Sequence, residues 1–191
     1  VWRLLDMTVE PGVMSALNAW QEWLRFERRA KENTIVSYRH DLEKFFTFAA
    51  KHLGYPPGLR DLAAISLIDL RAYLAARNAA GLSRTSTARA ISSLKAFFRF
   101  LERRGLAENT AVIMLKAQKI PKSLPKALSI EDALQVLFEI ERVDSKVWVG
   151  KRDKALLCLL YGCGLRISEA IALNRMQISD INTDTIRVVG K

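Results

Sequence analysis

The chain has 191 residues, half of them hydrophobic and 26% charged, which leaves room for one or two globular domains with a real core. Its net charge of +10 makes an anionic partner the expectation, with nucleic acid the commonest such partner. The longest apolar run, near 155–161, is far too short to cross a bilayer. The N-terminal Val1-Trp-Arg-Leu-Leu-Asp-Met7 has no signal-peptide core, and no Lys/Arg block sits beside an anchor, so no membrane role is expected. Cys158 and Cys163 have no further ligands in metal-binding spacing and read as small core residues of a cytoplasmic protein.

The spacing predicts a first helix over 13–29 with Leu17, Trp20, Trp23 and Leu24 turned inward and a basic end suited to a helix C-terminus. Asn33 or Thr34 is expected to cap a second helix, where Ile35, Tyr38, Leu42, Phe45, Phe46, Ala49 and Leu53 step by three and four. Its opposite face carries Ser37, Arg39, His40, Lys44 and Lys51. Gly54-Tyr-Pro-Pro-Gly58 forces a turn. Ser66 with Asp69 opens a third helix through about Asn78, which Gly81 stops, and Ser83 or Thr85 opens a fourth. In the fourth, Ile91, Leu94, Phe97, Phe98 and Leu101 face the core.

Thr85, Arg89, Ser92, Ala96, Arg99 and Arg103 form the other stripe of that helix. Small side chains alternating with arginines would let a phosphate backbone approach while guanidinium groups reach out to it. A solvated basic face has the same pattern, and both readings stay open. A short helix near 109–115 closes the domain. Residues 81–122 hold nine basic side chains against Glu102 and Glu108, so much of the surplus charge lies there. Lys116–Lys126, with Pro121, Pro125 and no apolar periodicity, reads as an extended basic linker that either wraps a duplex or serves solubility.

Ser129 with Asp132 caps a helix over 130–141 with Ala133, Leu134, Leu137 and Phe138 inward. After a loop containing Trp148 and Gly150, a helix over 151–161 is apolar on nearly every side, so it is expected to be buried, with Tyr161 in the core. Gly162 and Gly164 then break it. Arg166, between Leu165 and Ile167, opens a short helix on which Glu169 lies three residues on. The pair is either an internal ion pair or an anion-binding arginine whose fork Glu169 holds in place. Ile178–Ile181 and Thr185–Val189, separated by Asn182-Thr-Asp184, read as a β-hairpin.

Tyr161-Gly-Cys-Gly-Leu-Arg166-Ile-Ser-Glu169-Ala-Ile-Ala-Leu173 resembles the first active-site motif of the tyrosine recombinase (phage integrase) family. It is most similar to the bacterial Xer branch, nearer XerC than XerD. Thr185-Ile-Arg-Val-Val-Gly-Lys191 arrives where that family has a hairpin ending in Gly-Lys. Gly81–Arg89 running to Phe97–Leu101 looks like the last long helix of its DNA-clamping domain.

The resemblance implies a mainly α chain. A SAM-like clamp of four to five helices over 10–117 would be followed by a basic linker over 118–127. Residues 128–191 would be the first helices and β-hairpin of a mixed α/β catalytic domain. It implies double-stranded DNA as ligand, contacted by Arg39, Lys44, Arg84, Thr85, Arg89, Ser92, Arg99, Lys119 and Lys122. It implies no metal and no nucleotide cofactor.

Phosphodiester transfer needs a nucleophile, charge stabilisation and a proton for the leaving oxygen. By resemblance, Arg166 clamps the scissile phosphate, Lys191 delivers the proton to the leaving 5′ oxygen, and Glu169 orients these groups. A plain surface-turn lysine is the other reading of Lys191. The family's later His-x-x-Arg and its nucleophilic tyrosine have no counterpart here: the histidines are His40 and His52, and the tyrosines are Tyr38, Tyr55, Tyr73 and Tyr161. The expectation is a C-terminally truncated recombinase that binds DNA and does not cleave it. The parent would act with a partner recombinase subunit and a septal DNA translocase to resolve chromosome dimers. The alternatives are a non-catalytic DNA-binding protein that keeps the clamp, and an RNA-binding protein.

Overall fold

The computed structural model describes residues 2, 5, 7–116, 128–142 and 146–174, and among these every regular element is helical. The chain divides into two compact units, residues 1–122 and 123–191. The first contains α1 (Pro11–Phe26), α2 (Glu32–Leu53), α3 (Leu59–Ala64), α4 (Leu67–Ala79), α5 (Arg84–Arg103) and α6 (Thr110–Met114). The second contains α7 (Ile130–Glu139) with a 3-10 turn over Ile140–Arg142, then α8 (Val147–Tyr161) and α9 (Ile167–Ile171). The expected hairpin, the linker lysines Lys119 and Lys122, and Lys191 lie outside the described residues.

In the first unit the three-and-four spacing translates into burial. Leu17, Trp20 and Leu24 of α1, Leu42, Phe45 and Phe46 of α2, and Leu94, Phe97 and Leu101 of α5 form one core. The rings meet edge to face: Phe97 stands 5.4 Å from Trp20 and 6.0 Å from Phe46, and Phe45 lies 5.2 Å from Tyr73 of α4. Trp2 and Leu5, ahead of α1, join that core although no periodicity marks them.

Capping follows side-chain chemistry with one correction. Ser66 accepts from the Asp69 amide at 3.3 Å, and the Asp69 carboxylate accepts from the Ser66 amide at 2.9 Å. Ser83, rather than Thr85, caps α5 and accepts from the Ser86 amide at 3.1 Å. Neither Asn33 nor Thr34 caps α2, which starts at Glu32 behind Lys31. There the Glu32 carboxylate sits at the positive end of the helix and pairs with Arg25 at 3.2 Å. Gly54 and Gly81, at φ 83 and 71, make the left-handed turns that end α2 and α4.

The unanticipated α3 is too short for periodicity to reveal and is held from a distance. The Asn109 side-chain amide donates to the carbonyls of Leu62, Ala63 and Ile65 at 2.9, 3.2 and 2.8 Å. Its oxygen accepts from the Val112 amide at 3.0 Å. One residue thus ties the end of α3 to the first turn of α6.

The second unit corrects several expectations. Ser129 caps α7 at 3.0 Å, but Leu134 and Phe138 are 51% and 69% exposed rather than inward. Trp148 and Gly150 are helical, inside α8, rather than in a loop. A Cβ on Gly150 would come 2.6 Å from the Glu141 carbonyl oxygen, so only glycine lets the two backbones approach this closely. Leu156, Leu157, Leu159 and Leu160 are half-buried, and Tyr161, Cys158 and Cys163 are exposed rather than core. A helix apolar all round needs neighbours all round. Among the described elements α7, the 3-10 turn and α9 pack on α8, and they leave its leucines half-buried. Of the two glycines expected to break it, Gly164 takes the left-handed conformation and Gly162 keeps helical dihedrals.

Candidate nucleic-acid interface

With the apolar face of α5 buried, the 3.6-residue period lines up Thr85, Arg89, Ser92, Arg99 and Arg103 on its outer face, and all are exposed. Arg84 is exposed beside them at the first turn. Behind that turn lies Arg77 of α4, buried at 4% exposure. Its guanidinium donates to the Tyr73 hydroxyl at 3.2 Å and the Ser86 carbonyl at 3.1 Å, and among the described residues it has no carboxylate partner. A buried cation satisfied by neutral acceptors adds positive potential under the start of the stripe. Burial pushes the Tyr73 phenol above its ordinary pKa, against the opposing pull of Arg77.

Helix α2 packs against α5. Its Asp41, 2% exposed, accepts from Arg89 Nε at 2.9 Å, from the same guanidinium's Nη2 at 3.2 Å, and from Ser93 Oγ at 3.1 Å. This carboxylate, first by hydrogen bonding and then by charge, raises the Arg89 pKa further above its already high value. Lys44, about one turn on from Asp41, is exposed. Arg39 stands two residues, roughly 200° of helix, before Asp41 and so faces away from α5. It lies half-buried, 3.8 Å from the buried Glu43 carboxylate, which also meets His40 Nδ1 at 3.2 Å. By helical phase Lys44 lies toward the Asp41 side of α2 and Arg39 toward the opposite side.

At the far end of the stripe, Arg28, Arg99 and Arg103 line one groove of about 260 Å³ with Trp23, Thr34, Tyr38 and Phe100. α1 ends at Phe26, and Arg29 takes a φ of 46°, so the chain turns back on itself. Arg28 thereby lies 5.4 Å from the centre of the Trp23 ring, and Arg103 lies 5.8 Å from the same ring. Neighbouring carboxylates are committed elsewhere: Glu32 pairs with Arg25 and Glu27 with Arg104. Among the described residues none pairs with Arg28, Arg99 or Arg103. The sequence placed Arg28 in a basic helix end. Its real signal was Trp23 five residues before it, a ring on which a cation can rest only if the helix stops between them.

In the second unit Arg166 is 74% exposed and Ile167 beside it 51% exposed, so its pair with Glu169 is not an internal one. The Glu169 carboxylate accepts from the Arg166 amide and from Nη1, both at 2.9 Å. The pair exists, and it leaves most of the guanidinium facing solvent. Lys191, expected to act with it, lies outside the described residues.

Residues 17–105 match the phage integrase N-terminal SAM-like domain. The chain is 45% identical over 98% of its length to the tyrosine recombinase XerC of Rhodospirillum centenum. Its first unit carries a phage integrase N-terminal SAM-like domain, and nearly the whole chain is similar to tyrosine recombinases. It is 40% identical over 95% of its length to the tyrosine recombinase XerC of Rhizobium meliloti, and 38% identical over 95% to that of Mesorhizobium japonicum. The chain spans 54%, 57% and 58% of these three relatives, a little over half of each. No solved structure matches it. Within the SAM-like domain lie the whole α5 stripe, Asp41 and the arginine groove.

Proposed function

We propose that this protein grips duplex DNA through the outer face of α5 and the adjoining arginine groove, as the DNA-holding part of a site-specific tyrosine recombinase. One observation carries the DNA reading: Arg28, Arg99 and Arg103 converge on a single groove with no carboxylate partner among the described residues. Cations gathered in this way repel one another until an anion arrives, and each neutralised phosphate releases a counterion. A stripe one helix long, with small side chains at Ser92 and Ala96 between the arginines, suits a regular polyanion better than a single small one.

In the recombination reaction, strands are cut and rejoined through a 3′-phosphotyrosyl intermediate. Arg166 clamps the scissile phosphate, Glu169 orients it, and Lys191 protonates the leaving 5′ oxygen. The exposed guanidinium held by Glu169 supports the first two roles. Lys119 and Lys122 add contacts along the duplex. Resemblance to the Xer branch supports a partner recombinase subunit on the paired half-site, and resolution of chromosome dimers with a septal DNA translocase. Among the described residues no helix is long and apolar enough to cross a membrane.

Anisotropy of a labelled mixed-sequence DNA duplex, titrated with this chain at several salt concentrations, tests the DNA reading. The logarithm of the affinity should fall linearly with that of salt, and Arg103→Gln should lower the slope by about 0.9, one phosphate contact. Double-stranded RNA should compete less well than DNA. If a variant with Arg28, Arg99 and Arg103 all changed to Gln keeps the wild-type affinity and slope, the groove is only solvated surface and the reading falls.

A further inference from the structure

A carboxylate at the middle of a DNA-binding stripe repels phosphate, yet Asp41 sits there, buried between α2 and α5. If cohesion of the two helices were its only use, an apolar side chain would supply it without desolvating a charge. What Asp41 does that an apolar residue cannot is fix a guanidinium. It accepts from Arg89 side-on, through Nε at 2.9 Å and Nη2 at 3.2 Å. The end of the fork, Nη1 and the second hydrogen of Nη2, is left pointing away from the acid. Half of the Arg89 side chain, 49%, remains in solvent. Ser93 Oγ, within 3.1 Å of Asp41 Oδ2 and 3.0 Å of the Arg89 carbonyl, meets the same carboxylate oxygen as Arg89 Nε and so holds the acid beside the arginine. Arg99 and Arg103 of the same stripe have no such brace among the described residues.

We infer that Asp41 is a positioning residue for DNA recognition, holding Arg89 so that the outer end of its guanidinium makes a two-point contact with one phosphate of the duplex. Arg28, Arg99 and Arg103 then supply general attraction, and Arg89 supplies register, because its direction is set before the duplex arrives. The inference rests on the DNA reading proposed above.

The test uses the opposite signs of charge and position. Asp41→Asn removes a negative charge from the stripe, so simple electrostatics makes the variant bind a mixed-sequence duplex more tightly. Positioning makes it bind more weakly, by about fivefold or more, with a salt slope lower by about 0.9 as one phosphate contact is lost. Arg89→Lys, which keeps the charge but lacks the side-on fork, should weaken binding to a similar degree. The double variant should be no weaker than Asp41→Asn alone, since a lysine at that position and an unbraced arginine are equivalent point charges. Melting temperatures of all three, measured alongside, separate unfolding from loss of contact; where Asp41→Asn does not fold, Arg89→Lys carries the comparison. Wild-type binding with Asp41→Asn equal or tighter, or Arg89→Lys unchanged, overturns the positioning role and leaves the DNA reading standing. A wild-type chain with no salt-dependent affinity for duplex overturns both.

Discussion

Removing Arg89 with alanine would leave the Asp41 carboxylate buried with only the Ser93 hydroxyl as partner. Breaking a buried pair from one side costs about 3–5 kcal/mol, and because Arg89 is half in solvent a discounted figure of about 2 kcal/mol is expected. Urea unfolding of Arg89→Ala should show that loss. Adding Asp41→Asn to it should recover much of the stability by removing the stranded charge. A drop in DNA affinity for Arg89→Ala alone would therefore mix unfolding with lost contact. The stripe position of Arg89 was legible from the α5 spacing. Its partner was not, because Asp41 and Arg89 are 48 residues apart, and an aspartate between Ile35 and Phe45 in α2 reads like any polar residue of an amphipathic helix.

At the scale of elements, α4 shows a cap that also makes a long-range tie. The Asp69 carboxylate accepts from the Ser66 amide at 2.9 Å and the Ser66 hydroxyl at 2.7 Å, and lies 2.8 Å from Nε2 of His52 at the end of α2. The Ser66 hydroxyl, the Ser66 amide and His52, in that order, hold its pKa down to about 2. A carboxylate whose pKa is lower folded than unfolded adds stability above its unfolded value, and that stability is lost as pH falls through the folded value. The Asp69 contribution should therefore be complete above about pH 4 and fade toward pH 2. Urea midpoints of wild type and Asp69→Asn measured from pH 6 to pH 2 should converge at the acid end; a gap that stays constant would deny Asp69 this role. The Ser66–Asp69 cap was plain in the sequence because it is local. His52 was read only as one of two histidines outside any His-x-x-Arg, since the bend at Gly54 and the path through α3 are what bring it to α4.

The whole molecule pairs a tightly packed first unit with a second whose described helices are mostly exposed. All four tyrosines lie among the described residues. Tyr38 stacks on Trp20 at 5.9 Å, Tyr55 donates to Asp61 at 2.9 Å, and Tyr73 is buried. The Asp61 carboxylate raises the Tyr55 pKa and burial raises that of Tyr73. Tyr161 is exposed at the end of α8, and no general base among the described residues is hydrogen-bonded to it. Incubation of this chain with a nicked duplex should therefore give binding and no covalent protein–DNA adduct on denaturing gels. An adduct mapped to Tyr161 would make that exposed side chain the nucleophile.

By itself the sequence determined the helices of the first unit apart from α3, most of its core, two serine caps and the basic outer face of α5. Each follows from residues within one or two turns of one another, where periodicity and side-chain chemistry act directly. The motif around Arg166 and Glu169 was also legible, and so was their ion pair, because three residues along a helix suffice to make it. Tertiary structure alone decided what those surfaces are made of. It bent the chain after α1 to bring Arg28 over Trp23 and beside Arg99 and Arg103, turned Arg39 away from the stripe, and set Asp41 beneath Arg89. It also left α8 partly open, although its composition called for burial. Burial and counter-charge depend on which distant segments meet, and no local pattern in a single chain encodes that meeting.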